Sequence, residues 1–377
     1  MTGRFTASWK AKGRPTGLFS LAALAVVLAI EASIVWPVIA REGWRDWWAY
    51  RNAGERLVAH LPLYGGSDST GLLLYPPAMA GIWQAGFRYE ALLFLDLVAL
   101  VAIGWLAFGT ARASGVPHAT AVAAGTAVVG LALLSPAVFH DALLGNVMIV
   151  YAGAIALSLA VPGLRGAIPL GVVIAVAAKP FIVPYLVYLL IARRRDGLLV
   201  AGVAAGATLV AVATVGLSPH VEYAQAIPTF ASQARSYAGN LGVSAFAPAL
   251  VGIVAIGAVA LSVVVSRRGD SMRAAAAAIA LGLFVQPSLG MIYAVVLIPA
   301  LIVLWPWERL WSTTIALVGP VAALVSPLIP ASLVGLAAAR PLIAHAIARV
   351  TPGTGAEGSG RVHDADTTTG RPTDRAQ

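Results

Sequence analysis

Residues 193–217 read RRRDGLLVAGVAAGATLVAVATVGL, three arginines and an aspartate followed by a run with no charged side chain until Glu222. Ala, Val, Leu and Gly fill the run without alternating polar positions. A transmembrane helix needs about 20 largely apolar residues and closes its own backbone hydrogen bonds, which this segment can do. A strand of an outer-membrane barrel alternates lipid-facing and lumen-facing residues, which this segment does not. Outward from it, similar runs recur at 17–40, 90–111, 119–139, 143–161, 166–178, 180–192, 245–266, 272–288 and 291–305, with two short ones within 311–348. Several are shorter than about 17 residues and are expected to be re-entrant, tilted or paired around a cavity.

Composition points the same way. Hydrophobic residues make up 59% of the 377-residue chain and charged residues 11%, against about 45–50% and 25% in a soluble domain. With a mean hydropathy of +0.84, a water-soluble fold cannot hide the apolar surface and a bilayer can. The expected class is all-α, a polytopic integral membrane protein of roughly 11–12 transmembrane helices. A net charge of +9 in a soluble protein would suggest nucleic acid, but here the basic residues cluster in short loops between spans. With the N-terminus in the cytoplasm, Arg4/Lys10/Lys12/Arg14, Arg112, Arg165, Arg193 to Arg195, Arg267/Arg268/Arg273 and Arg309 all fall inside, as the positive-inside rule asks.

The chain then divides into a cytoplasmic tail (1–16), a transmembrane domain (17–350) and a C-terminal tail (351–377), rich in Gly, Thr, Asp and Arg and expected to be disordered. The outer side receives a first loop with an interfacial helix (41–89) and a second polar loop (218–243). The run at 17–40 exceeds the ~7–15-residue core of a signal peptide and leads into further spans. The chain has no cysteine, which excludes disulfides, thiolate catalysis and cysteine metal sites. There is no evident internal repeat of the kind many transporters carry.

Several constellations on the expected outer face carry chemistry. The first loop reads Gly43-Trp44-Arg45-Asp46-Trp47-Trp48-Ala49-Tyr50-Arg51-Asn52-Ala53. It is either an aromatic belt at headgroup depth with solvated charges, or a carboxylate, Asp46, held at the membrane surface as a general base. Lys179, in Ala177-Ala178-Lys179-Pro180, sits inside an apolar stretch. It either snorkels or serves as a point charge for a phosphate. Glu31, His140-Asp141, Gly145-Asn146, Asn240 and Gln286 lie in or near span ends, where each alone is commonly a helix-pairing or capping residue. Asp46, Tyr75, Asp141, Asn146, Lys179, Asn240 and Gln286 nonetheless all map to one face.

The order of these residues resembles the polyprenol-phosphate-mannose-dependent glycosyltransferases of family 87, in the GT-C superfamily. Asp46, Tyr50 and Ala53 fit Asp-x-x-x-Tyr-x-x-Ala after the first span, Leu63-Tyr64 fits Leu-Tyr, and Tyr75-Pro76-Pro77 fits Tyr-Pro-Pro. Gly145-Asn146 stands where Gly-Gln is usual, and Lys179-Pro180, Tyr188-Leu189-Leu190 and Arg193-Arg194 fit a Lys-x-x-Pro, Tyr-Leu, basic-pair run. The family's late Ser-Pro-x-x-Trp-x-His-Tyr appears as 286–293, keeping Pro287 and Tyr293 without the Trp and the His. Asn240-Leu241-Gly242 stands in place of Asn-Gln-Ser.

The resemblance covers about residues 17 to 310 and implies a GT-C fold in the plasma membrane with an extracytoplasmic site. The implied reaction moves a hexose, mannose in the family, from a polyprenyl-phosphate donor to a hydroxyl of a glycan or glycolipid acceptor, with inversion. It makes Asp46 the base and Lys179 the donor-phosphate cation, with Tyr50, Tyr64, Tyr75, Asn146, Asn240 and Tyr293 as substrate-binding residues. No metal, cofactor or nucleic acid is implied. The competing expectations are a transporter or flippase of a lipid-linked or small polar substrate, which wants polar residues at the midplane, and a noncatalytic scaffold.

Overall fold

Proline and glycine punctuate the helices. The computed structural model describes residues 45–64, 75–236, 240–268, 271–286, 289–308, 312, 315 and 326–350. The expected first span at 17–40 with Glu31, both tails and Pro287 lie outside them. Arg45–Val58 (α1) is amphipathic, burying Trp47, Tyr50, Ala53 and Gly54 and turning Trp48, Arg51 and Glu55 outward. Pro76-Pro77 opens the short α2 (Pro77–Gln84), where proline's missing N–H is one the helix leaves unpaired in any case.

Then come α3 (Tyr89–Ala113), α4 (His118–Leu133), α5 (Pro136–Leu144), α6 (Met148–Ala160) and α7 (Leu164–Val176). Lys179 is extended (φ −131°, ψ 134°) ahead of a 3-10 turn, Pro180–Ile182, as the residue before a proline prefers. α8 (Val183–Ala192), α9 (Arg194–Val215), α10 (Leu217–Ser236) and a single turn Val243–Phe246 follow. The rest is α11 (Val251–Arg268), α12 (Ser271–Val285), a 3-10 turn Met291–Val296, α13 (Leu297–Leu304) and α14 (Leu328–Val350). No strand occurs among the described residues. The chain to Ala339 forms one compact unit and the residues from Arg340 a second, described only as helix to Val350.

Three helices, Tyr89–Ala113, Arg194–Val215 and Pro248–Arg267, are long and apolar enough to cross a membrane. A fourth crossing arises if α4 and α5, bent by 62° at their junction, count as one span. These helices present bare apolar side chains: Phe94 is 63% exposed, Leu209 70% and Ile256 72%. Such a surface is suited to lipid rather than water. The other apolar segments are helices of 10–17 residues, the short elements anticipated from the sequence. α2, at eight residues, rises about 12 Å and cannot cross a core of about 30 Å. The polar stretch 218–243, expected as an outer loop, is mostly helical, because α10 occupies it through Ser236.

Small residues let the helices touch. A Cβ added at Gly153 of α6 would lie 2.4 Å from the Cβ of Ala99 on α3, and one at Gly125 of α4 would lie 2.7 Å from the Gly104 carbonyl oxygen. Ala274 through Ala278 of α12 are buried. A Cβ at Gly282 would fall 2.1 Å from the Phe181 carbonyl oxygen. This is how helices pack in lipid, where close backbone approach and dispersion contacts replace the hydrophobic drive. Gly153→Val should therefore overpack α3 against α6 and cost about 1–3 kcal/mol. Gly202→Val, with no atom within 4 Å of an added Cβ, should be neutral. Reversible unfolding in detergent followed by tryptophan fluorescence compares the two, and equal midpoints would contradict the packing.

Candidate functional site

The left-handed turn after α5 builds the centre of the site. Gly145 closes that helix at φ 67°, a conformation glycine adopts without the penalty of a Cβ. A side chain there would also meet the Cβ of Trp47 at 3.0 Å. Asp141, wholly buried, turns its carboxylate onto the first amides of α6, accepting from Met148 N at 3.3 Å and Ile149 N at 2.9 Å. Between these anchors stands Asn146.

The Asn146 side chain joins three parts of the chain. Its Oδ1 accepts from the Val147 backbone N–H at 2.7 Å and from the Tyr75 hydroxyl at 3.2 Å. With the oxygen so occupied, the NH2 group is what Asn146 can present to α1, and it donates to Oδ2 of Asp46. Asp46 lies in the first turn of α1 and is half-buried, where the helix N-terminus favours a negative charge. Tyr50, one turn on, is buried with its ring edge-to-face on Tyr75 at 5.1 Å.

Tyr75 leads to the cation. Lys179 Nζ lies 4.7 Å from the centroid of the Tyr75 ring and 5.0 Å from that of Tyr293, a pair of cation–π contacts. Tyr293 Oη accepts from Lys179 at 3.3 Å and from Gln286 Nε2 at 3.0 Å. Both acceptor positions of that hydroxyl are thereby used and its proton is left to donate. Behind Lys179, the Tyr151 hydroxyl donates to the Ala177 carbonyl at 2.7 Å. Phe181 packs between Tyr151 and Tyr293, at 5.0 and 5.9 Å.

The remaining expected residues support this arrangement from behind. The Tyr64 hydroxyl donates to the Tyr75 carbonyl at 2.7 Å. α10 backs that turn, with Glu222 accepting from Leu63 N at 3.1 Å and Tyr223 5.5 Å from the Tyr64 ring. Asn240 is engaged in joining loops: its amide donates to Ser244 Oγ at 2.6 Å, and its oxygen accepts from Gly242 N and Leu289 N at 3.0 and 3.1 Å. It steadies the segment that leads to Tyr293.

Sequence inspection passed over two features. Asp96, in the middle of α3, is buried and neither carboxylate oxygen has a hydrogen-bond partner. An isolated acid in Leu93-Phe94-Leu95-Asp96-Leu97-Val98 was signal enough. The other is an open pocket of about 450 Å³ lined by Trp47, Trp48, Arg51, Trp83, Arg88, Tyr89 and Glu90. Its walls come from three elements, so spacing along the chain could not reveal it. No cluster of three or more metal-ligating side chains occurs among the described residues. No family profile, curated protein or solved structure matches the chain.

Burial raises the hydroxyl pKa of Tyr50, Tyr64 and Tyr75 above the usual tyrosine value, with nearby Asp46 adding to the effect at Tyr50 and Lys179 opposing it at Tyr75. A raised folded-state pKa means that folding favours the neutral form. The corresponding stability is complete below about pH 10, the unfolded value, and is lost as pH climbs beyond it. An alkaline titration should show tyrosinate absorbance from these residues only together with loss of helical circular dichroism. Early ionisation in the folded state would contradict their burial.

Proposed function

We propose that the chain is a membrane glycosyltransferase that moves a hexose, mannose by resemblance, from a polyprenyl-phosphate donor to a hydroxyl of a glycan or glycolipid acceptor. The observation that carries this is the union of a fixed carboxylate with a caged cation: Asp46 bound by Asn146, and Lys179 between the Tyr75 and Tyr293 rings, linked through Tyr75. Base and cation come from positions 46 and 179 and are linked through Asn146 and Tyr75. A proton acceptor next to a site for a leaving anion is what glycosyl transfer from a phosphate requires.

Asp46 takes the proton of the acceptor hydroxyl as its oxygen attacks the anomeric carbon. The bond from that carbon to the phosphate oxygen breaks on the opposite side, inverting the centre, and polyprenyl phosphate departs with the electron pair. Lys179 and the Tyr293 hydroxyl balance the charge developing on the phosphate. Asn146 holds Asp46 in position through its donated hydrogen bond. In this proposal the protein has a GT-C fold with roughly 11–12 spans, its N-terminus is cytoplasmic and the site opens on the outer face of the plasma membrane.

The test uses purified protein in lipid nanodiscs with radiolabelled polyprenyl-phosphate-mannose and a glycolipid extract as acceptor. Asp46→Asn keeps the shape beside Asn146 but removes the basicity, and should lower turnover at least about a hundredfold, with expression and donor binding near wild type. Lys179→Met should chiefly weaken donor binding, and arginine need not rescue it because a planar fork is not a point charge. Normal turnover by Asp46→Asn would defeat the assignment. A transporter draws support from Asp96, a buried acid within a membrane-spanning helix. It would show itself as flux of an unaltered substrate across proteoliposomes.

A further inference from the structure

On α1, successive residues turn by about 100°, so Asp46 and Tyr50 share one face while Trp47, Trp48 and Arg51 share the next. The first face meets Asn146 and Tyr75, as described. The second, with Trp83 of α2 and the corner Arg88, Tyr89 and Glu90 where α3 begins, encloses the pocket of about 450 Å³. That volume is within the ordinary range of small-ligand sites, roughly 300–1,000 Å³.

The pocket is built from rings held in defined positions. Trp47 stands edge-to-face on Trp83 at 4.0 Å between centroids and on Tyr89 at 5.7 Å. Trp83 can come this close only because residue 54 is glycine: a Cβ there would lie 2.2 Å from the Trp83 ring. Trp48 is 46% exposed. Its ring is steadied by the Arg51 guanidinium 4.9 Å from its centroid, and Arg51 is in turn paired with Glu55 at 2.7 Å.

We infer that this pocket is a carbohydrate subsite, receiving the sugar unit of the acceptor that adjoins the one reacting at Asp46. The inference rests on the transferase assignment for its role and on the pocket for its chemistry. An aromatic belt that only anchors the chain at headgroup depth has no need of a concave wall of three indoles. A fatty chain needs no charge, and a free phosphate gains nothing from four aromatic rings and is opposed by Glu90. A neutral pyranose ring uses everything present. Its polarised C–H face lies against the electron-rich faces of the indoles. Its hydroxyls accept from Arg51 and Arg88 and donate to Glu90, in charge-assisted hydrogen bonds. Trp47, which lines this pocket, directly follows Asp46 on α1. Pocket and base therefore lie on adjacent faces of α1, about 100° apart, so that one acceptor reaches both with neighbouring sugar units rather than with the same one. The acceptor is accordingly an oligosaccharide or a glycolipid with at least two sugars in its head.

Saturation-transfer NMR on the full chain in phosphatidylcholine nanodiscs, with mannobiose as the probe, tests the subsite without requiring turnover. The expected result is saturation of the sugar ring protons in wild type and in Asp46→Asn, at least fivefold weaker in Trp48→Ala and in Arg88→Gln. Trp48 and Arg88 are exposed, and matching circular dichroism will confirm that both variants are folded. No saturation in wild type, or equal saturation in Trp48→Ala, overturns the subsite. Loss of the signal to glycerophosphocholine also overturns it, making the pocket a seat for a lipid headgroup. If mannobiose binds as expected but no sugar moves from the polyprenyl-phosphate donor, the subsite stands and the transferase assignment fails. If transfer depends on Asp46 while Trp48→Ala leaves both binding and transfer intact, only the subsite falls.

Discussion

Asn146 has a single amide and three claims upon it. Its oxygen is taken by Val147 N–H and the Tyr75 hydroxyl, which leaves the NH2 group for Asp46. Turned over, it would set oxygen against carboxylate and amide hydrogens against a backbone N–H. The orientation is therefore decided by sterically fixed partners, and through it α1, the turn before α2 and the α5–α6 junction are brought to one point. Gly145 makes this possible by taking the left-handed conformation and by leaving room for Trp47. The carboxylate, the cation cage and the aromatic pocket all lie within one or two side chains of that turn.

The membrane supplies the second constraint. Helices in lipid gain little from hiding apolar side chains from one another, so their association relies on backbones coming close. Gly153 on Ala99, Gly125 on Gly104 and Gly282 on the Phe181 carbonyl are three such approaches. The last bears on the candidate chemistry. The Pro180–Ile182 turn is pressed against α12 by the absence of a side chain at 282, and Lys179 precedes that turn. The breaks beside Lys179 and Asn146 expose backbone that a continuous helix would pair, and side chains pair part of it: the Tyr151 hydroxyl reaches the Ala177 carbonyl and the Asp141 carboxylate reaches the first amides of α6. Irregular chain at a membrane protein's site persists where such partners exist.

The two polar stretches read as outer loops carry helices among the described residues, and they meet. α1 and α2 lie in the first and α10 fills most of the second, and Glu222 and Tyr223 of α10 support the turn carrying Leu63 and Tyr64. Apolar periodicity marks a helix against a core, whereas α10 is polar, carries Pro228 and offers little of that signal. Its identity as a helix comes from length and from its contacts with the first loop.

The sequence by itself pointed to an all-helical membrane protein, since water does not suit apolar runs such as 198–215, and it marked many helix ends, because charge and proline stop an apolar helix. It also picked out Asp46, Tyr75, Asn146 and Lys179 among the residues of one expected face, and Tyr293 by its place in the late motif. Only the tertiary structure decided that these five form one connected set, that Asn240 is occupied in tying loops together, and that Trp47, Trp83 and Tyr89 wall a pocket. Hydrogen bonds between residues 100 and 114 positions apart, Asp46 to Asn146 and Lys179 to Tyr293, leave no trace in local composition. They exist because short helices break where glycine and proline dictate and pack as closely as their small residues allow.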